Sequence, residues 1–180
     1  MLFCPGNFLN QHYPTLLGSH RPPSLETIVV LRDAKPGDMD WQAFLARAPF
    51  AEDVQVHRRA AAVTPDTVMD VMFTSGTTGQ PKGVVTTHGQ NLRGVAEFNA
   101  RLQIVPEDRY LVVNPFFHVF GYKVGWLGGL TMGCTVMPHA VFDAAAVMKR
   151  IANERVSVLP GPPTLFISLL NDPARAQADL

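Results

Sequence analysis

The chain has 180 residues, 47% of them hydrophobic and 17% charged, with 15 basic side chains against 15 acidic ones. That balance excludes an intrinsically disordered segment and a protein that grips nucleic acid through a broad basic surface. The length suffices for a core that removes roughly 70% of the unfolded surface from water. Two cysteines, Cys4 and Cys134, are too few for a disulfide framework, so a reducing, cytoplasmic setting is expected. The most apolar stretch, Val124 to Met137, is interrupted by Gly125, Gly128, Gly129 and Gly133. It falls short of the roughly twenty residues that cross a bilayer, and no membrane span is expected.

Leu25 to Leu31 reads as a strand, and Asp40 to Arg47 as a short helix with Asp40 as its N-cap. Beyond Pro65 the pattern sharpens. Val68 to Phe73 is a short apolar run, Ser75 to Gly83 a glycine-rich loop, and Val84 to Thr87 is β-branched. Asn91 is positioned to cap a helix running to about Leu102. Strands are then expected at Arg109–Val113, Cys134–Met137 and Val156–Leu159, alternating with helices at Val119–Met132, Phe142–Arg155 and Pro163–Leu170. In the helix after Phe142, Ala144, Val147 and Ile151 recur at three- and four-residue spacing. Such alternation implies an α/β fold with a largely parallel sheet.

The stretch Thr74-Ser75-Gly76-Thr77-Thr78-Gly79-Gln80-Pro81-Lys82-Gly83 carries the chemistry. Its glycines permit positive φ and a close backbone approach to a ligand. Converging amides and four hydroxyls are donors for an anion, and Lys82 adds a mobile point charge suited to phosphate oxygens. Nothing in the loop repels an anion, so a polyphosphate is the expected guest. It is not a Walker A loop, because counting from Gly76 puts Pro81 and Lys82 where Gly and Lys belong. A surface loop of ordinary turn formers is the plain alternative. The unbroken run of donor-compatible positions directly after an apolar strand outweighs it.

His118, with Phe116, Phe117 and Phe120 around it, reads from these residues alone as a structural histidine in an aromatic cluster. His12, His20, His57 and His139 lack metal-site spacing, and His88 reads as structural or capping.

The segment Met72 to Val85 resembles the signature of the adenylate-forming, AMP-binding superfamily of acyl-CoA synthetases, luciferases and nonribosomal adenylation domains. His88 and Asn91 look like that family's continuation. Asn114-Pro115-Phe116-Phe117-His118-Val119-Phe120-Gly121 resembles its second core motif, and Val158 to Thr164 the strand and loop that line the acyl pocket. The resemblance implies that residues 1–180 are a fragment of the large N-terminal domain of an adenylate-forming enzyme. Residues 1–64 are the less informative αβ segment; 65–180 hold the phosphate loop and the acyl-pocket units, and the C-terminal domain is absent.

What the resemblance implies chemically is a two-step ligase using ATP, Mg2+ and coenzyme A on a small-molecule carboxylic acid. Thr74, Ser75, Gly76, Thr77, Thr78, Gly79 and Lys82 would hold the ATP phosphates, with Thr74 also on the magnesium ion. Lys82 and His118 would be the catalytic pair, His118 lying near the carboxylate and the α-phosphate. Phe117, His118, Trp126 and Gly161 would line the acyl pocket. No counterpart of the family's Tyr-Gly-x-Thr-Glu block follows, so the chain alone is expected to be inactive. A non-catalytic nucleotide- or phosphate-binding remnant is the reading from another class, and an amino-acid adenylation domain a further one within the family. Against the last, the second motif carries no aspartate to pair with a substrate ammonium, whose unpaired burial is costly. An apolar wall favours a hydrophobic acid, and the two later motifs look most like bacterial acyl-CoA ligases of fatty-acid or steroid-ring-remnant breakdown.

Overall fold

The strand expected over Leu25–Leu31 narrows to three residues, because only Val29 and Val30 are withdrawn from water, at 0% and 1% exposure. A computed structural model describes residues 1–48, 53–76 and 79–178. It divides into two units, Met1–Val63 and Thr64–Leu180. The first contains β1 (Leu2–Cys4), β2 (Asn7–Phe8), β3 (Gln11–His12), α1 (Tyr13–Leu17), β4 (Ile28–Val30), β5 (Met39–Asp40), α2 (Trp41–Leu45) and α3 (Asp53–Ala61). β4 is central, with β1 and β5 pairing to it in parallel. Asp40 caps α2 as expected, its Oδ1 accepting from the Ala43 N–H at 2.7 Å. α3 has no buried residue, Val54 and Val56 included, so no apolar stripe marks it in the sequence.

The second unit continues with β6 (Val68–Thr74), β7 (Lys82–Thr87), α4 (His88–Arg101) and β8 (Arg109–Val112). A π-helical segment over Phe120–Leu127 runs into α5 (Gly128–Met132). β9 (Thr135–Pro138), α6 (Ala144–Glu154), α7 (Pro163–Asn171) and a 3₁₀ turn over Pro173–Gln177 complete it. Among the described residues no helix is long and apolar enough to cross a membrane.

β8 organises this unit, because it is buried on both faces, as strands of parallel sheets are. Leu111 and Val113 face Val147 and Met148 of α6 and Leu165 and Leu169 of α7. Tyr110 and Val112 pack on the other face with Ile104 and Cys134. β9 runs parallel to β8 on one side; on the other, Val158 makes a single parallel bridge to Tyr110. The strand expected over Val156–Leu159 therefore shrinks to one bridge, fixed by the Leu111 N–H donating to the Val158 carbonyl at 2.9 Å. α6 begins on Asp143, whose Oδ1 accepts from the Ala146 N–H, and ends on Arg155 in the left-handed region. The expected packing of Ala144, Val147 and Ile151 on one side is present.

Two further expectations change. Helix α4 starts at His88, three residues before Asn91, because Thr87 and Gln90 form a reciprocal capping box. Asn91 is 6% exposed inside the helix, with its carboxamide engaged elsewhere. Replacing Thr87 with alanine is expected to cost about 1 kcal/mol, read as a lower urea midpoint with unchanged slope. The second change is in the helix expected over Val119–Met132, whose first part is π-helical. The Gly128 N–H reaches back five residues to the Lys123 carbonyl. The Tyr110 hydroxyl donates to the Val124 carbonyl at 3.0 Å, and the buried Asn99 carboxamide to that of Gly128 at 3.0 Å. Gly121 and Gly125 of this segment lie against the turn after β8 and against β8 itself, and Gly129 of α5 lies against β9. A Cβ on these would enter the Asn114 and Pro115 carbonyls, the Val112 side chain and the Val136 side chain respectively.

Candidate functional site

The glycine-rich loop is the turn of an antiparallel hairpin, not a strand-to-helix turn. β6 and β7 pair from Val68↔Thr87 to Thr74↔Lys82, so Thr74 and Lys82 are cross-strand partners that close the loop mouth. Gly76 (φ +62°) and Gly79 (φ +79°) lie in the left-handed region. A Cβ on Gly76 would strike the Gln80 carbonyl, and the Lys82 Cγ is 3.8 Å from that point. The lysine stem thus passes the one residue whose lack of a side chain lets the loop fold back on itself. Thr74, Ser75 and Lys82 are exposed. Thr77 and Thr78, both expected in the phosphate set, lie outside the described residues.

His118 follows β8 in a tight turn, its N–H donating to the Pro115 carbonyl at 3.0 Å. Its Nδ1 accepts from the Phe120 N–H at 3.2 Å, which in the neutral ring leaves the proton on Nε2. His118 is exposed and Phe117 is 80% exposed. The enclosing aromatic cluster that would make His118 structural is absent among the described residues; Phe120 instead meets Phe98 edge-on at 6.1 Å. Trp126 stacks on Tyr122, with ring centroids 5.6 Å apart.

A cleft of about 240 Å³ joins the start of the second motif to the loop before α7. Val113, Asn114 and Pro115 line one part, and Phe142, Pro162, Thr164, Leu165 and Ser168 the rest. The Asn114 Oδ1 is buried without a hydrogen-bond partner. Gly161 packs against Leu165 nearby. Phe117, His118 and Trp126 are not among the residues lining this cleft. Gly161 does not line it either, so the expected acyl set is not gathered in one place: Phe117 and His118 precede the π-helical segment, and Trp126 lies within it.

Sequence reasoning missed a polar cluster behind the hairpin. The Lys123 ammonium lies 3.2 Å from the Asp70 Oδ1, each side chain 13% exposed. Lys123 also donates to the Thr86 hydroxyl at 2.9 Å, and Thr86 in turn donates to Asp70 at 2.7 Å. Asn91 completes the set, its amide donating to the Asp70 Oδ2 at 3.0 Å and to the Thr86 hydroxyl at 3.1 Å. Burial, aided by the Asp70 charge, pushes the neighbouring Tyr122 hydroxyl above the usual phenol range. A signal for this cluster existed: Asp70 is the lone charge in an apolar run, as Lys123 is in a glycine-rich apolar helix.

Residues 10–180 match the family model described as AMP-binding enzyme. The chain is 44% identical over 180 residues to the 3-[(3aS,4S,7aS)-7a-methyl-1,5-dioxo-octahydro-1H-inden-4-yl]propanoyl:CoA ligase of Mycobacterium tuberculosis, covering 100% of this chain and 35% of that protein. It is also 44% identical over 185 residues to the Rhodococcus jostii protein of the same name, covering 99% of this chain and 36% of that one. Among solved structures, it is similar to o-succinylbenzoate coenzyme A synthetase from Bacillus subtilis in complex with ATP and magnesium ion. The TM-score there is 0.57 at 32% identity, over 61% of this chain and 23% of that one. The chain spans about a third of the length of the curated relatives it matches.

Proposed function

Because the chain belongs to the AMP-binding enzyme family, we propose that it forms the phosphate-holding part of an ATP-dependent acid–thiol ligase acting on a hydrophobic carboxylic acid. In the first half-reaction a carboxylate oxygen of the acid bonds to the α-phosphorus of ATP. The bond from that phosphorus to the bridging oxygen breaks, and pyrophosphate leaves with the electron pair. In the second, the thiol sulfur of coenzyme A bonds to the acyl carbonyl carbon, the bond to AMP breaks and the thiol proton is released.

The observation that carries this reading is the hairpin loop, closed by the Thr74↔Lys82 pair and folded tightly at Gly76. As pyrophosphate departs it gains negative charge, and donors fixed beforehand stabilise that charge without reorganising. Ser75, Gly76 and Gly79 offer backbone amides, Thr74 and Ser75 hydroxyls, and Lys82 its ammonium. Thr77 and Thr78 belong to the same phosphate set by sequence.

Among the described residues no group of three or more His, Cys, Asp or Glu side chains is placed to hold a metal ion. The Thr74 hydroxyl at the loop mouth fits a magnesium ion bound chiefly by the phosphates themselves, where the ion supplies charge neutralisation. His118 presents its Nε2–H as a donor to the acid's carboxylate or the α-phosphate. Phe117, Trp126 and Gly161 supply apolar wall. Two free, buried cysteines suit a reducing compartment that supplies ATP and coenzyme A, and the cytoplasm is the setting this reading assigns.

The acid is assigned as a bulky alicyclic propanoate or similar apolar carboxylate. Residues 114–123 carry no carboxylate to pair with an ammonium, and the two relatives at 44% identity are named for a bicyclic propanoate. Substrate-dependent ATP–pyrophosphate exchange by the complete enzyme tests it, with matched amino acids, short acids, fatty acids and polycyclic propanoates. A bulky apolar carboxylate is expected to give the highest kcat/KM. Preference for a free amino acid would overturn the assignment.

A further inference from the structure

The hairpin and the segment that follows His118 are tied together by one largely buried polar cluster, and its position relative to the loop has a consequence for the chemistry. Side chains two residues apart on a strand share a face. Asp70 and Thr74 are thus on one face of β6, and Thr86 and Lys82 on the same face of β7, since Asp70↔Thr86 and Thr74↔Lys82 are both register pairs. Lys123 docks on that face, on the element whose first turn follows His118 by two residues. The clamp therefore holds the π-helical segment to the very side of the hairpin that presents Thr74 and Lys82, about 13 Å along the strands from the loop mouth.

Apolar residues could have filled this place. A buried ion pair is a poor way to add stability, because desolvation offsets much of the Coulomb attraction. What it supplies is direction. The Asp70 carboxylate accepts from Thr86 and Asn91 as well as facing Lys123, so three elements are fixed by one anion.

We propose that Lys123 and Asp70 are positioning residues for adenylation, setting where His118 stands relative to the phosphate loop; this rests on the function proposed above. The acid and the departing pyrophosphate must be in line across the α-phosphorus, and a misplacement of about 1 Å can cost on the order of 100-fold in rate. The pair matters less once pyrophosphate has gone.

The test uses the complete enzyme with Lys123→Met, Asp70→Asn, the double variant, Lys123→Arg and Thr86→Val. Each is assayed for acyl-adenylate formation, for transfer from supplied acyl-adenylate to coenzyme A, and for melting temperature. Lys123→Met and Asp70→Asn are expected to lower the kcat of adenylation by about 10- to 100-fold. The KM for ATP and the transfer half-reaction should change less than about threefold, as expected for an orientation effect. The double variant should be no worse than the worse single one, because each single change leaves a buried charge unpaired. Lys123→Arg restores most of the rate. Should the unpaired-charge variants not fold, Thr86→Val decides, since it removes the bridging hydroxyl while keeping both charges, with a smaller loss confined to adenylation. A fall in melting temperature with adenylation kcat unchanged, or equal losses in both half-reactions, would overturn the proposal. Absence of any acid-dependent pyrophosphate exchange by the unaltered enzyme is a separate result, and it overturns the functional reading together with this one.

Discussion

Lys82→Ala in the complete enzyme is expected to slow acyl-adenylate formation by about 10²–10³-fold, the loss typical of removing one fixed donor from developing negative charge. Transfer of the acyl group from supplied adenylate to coenzyme A should fall far less, because no pyrophosphate is present in that step. The structure gives the reason for a specific rather than a global effect. Lys82 is exposed, it is the last loop-side residue of a hairpin pair with Thr74, and its stem runs past Gly76 without packing into the core. Stability should therefore be near that of the unaltered protein. Single-turnover measurement of each half-reaction checks the prediction, and equal losses in both would contradict the role given to Lys82.

Gly121→Ala is expected to lower stability by about 1–3 kcal/mol, the range for overpacking a close contact. A Cβ there runs into the Asn114 and Pro115 carbonyls, which are backbone atoms and do not rotate away as a side-chain tip would. Relief requires moving the Pro115–His118 turn, so adenylation should suffer along with stability. Gly94→Ala is the contrasting control. It lies in the same unit on α4, a Cβ there meets nothing within 4 Å, and the change should stabilise by up to about 1 kcal/mol. Urea denaturation of both variants reads the two signs directly.

The tight glycine-rich loop was legible in the sequence because its demands are local. Positive φ at Gly76 and Gly79, and a charge at Lys82, require particular residue types at particular places. The alternation around β8 was legible too, since a strand buried on both faces reads as a continuous apolar run. The hairpin was not, because Val84–Thr87 followed by a helix looks the same whether the strand before it runs parallel or antiparallel; only the pairing of Thr74 with Lys82 decides. Asn91 illustrates a different failure. Asparagine is a good cap, but Thr87 with Gln90 three residues on is better, and Asn91 is needed by Asp70 from 21 residues away. The π-helical segment has no local signature, because its close approaches, Gly121 to the turn after β8 and Gly125 to Val112, are tertiary contacts. Family membership and kinship to acyl-CoA ligases, read from the loop and the two later motifs, agree with the whole-chain similarity.

The face of the hairpin opposite the clamp has a practical bearing on the chain as a reagent. Val71, Phe73 and Val85 stand there at 49%, 74% and 57% exposure, and Gly83 between them adds no polar cover. A two-stranded ribbon with an apolar face and open hydrogen-bonding edges is a template onto which further strands add. Handled by itself at high concentration, the 180-residue chain would trade solubility for self-association. Light scattering would then report the outer wall of the hairpin rather than any property of the side that carries Thr74 and Lys82.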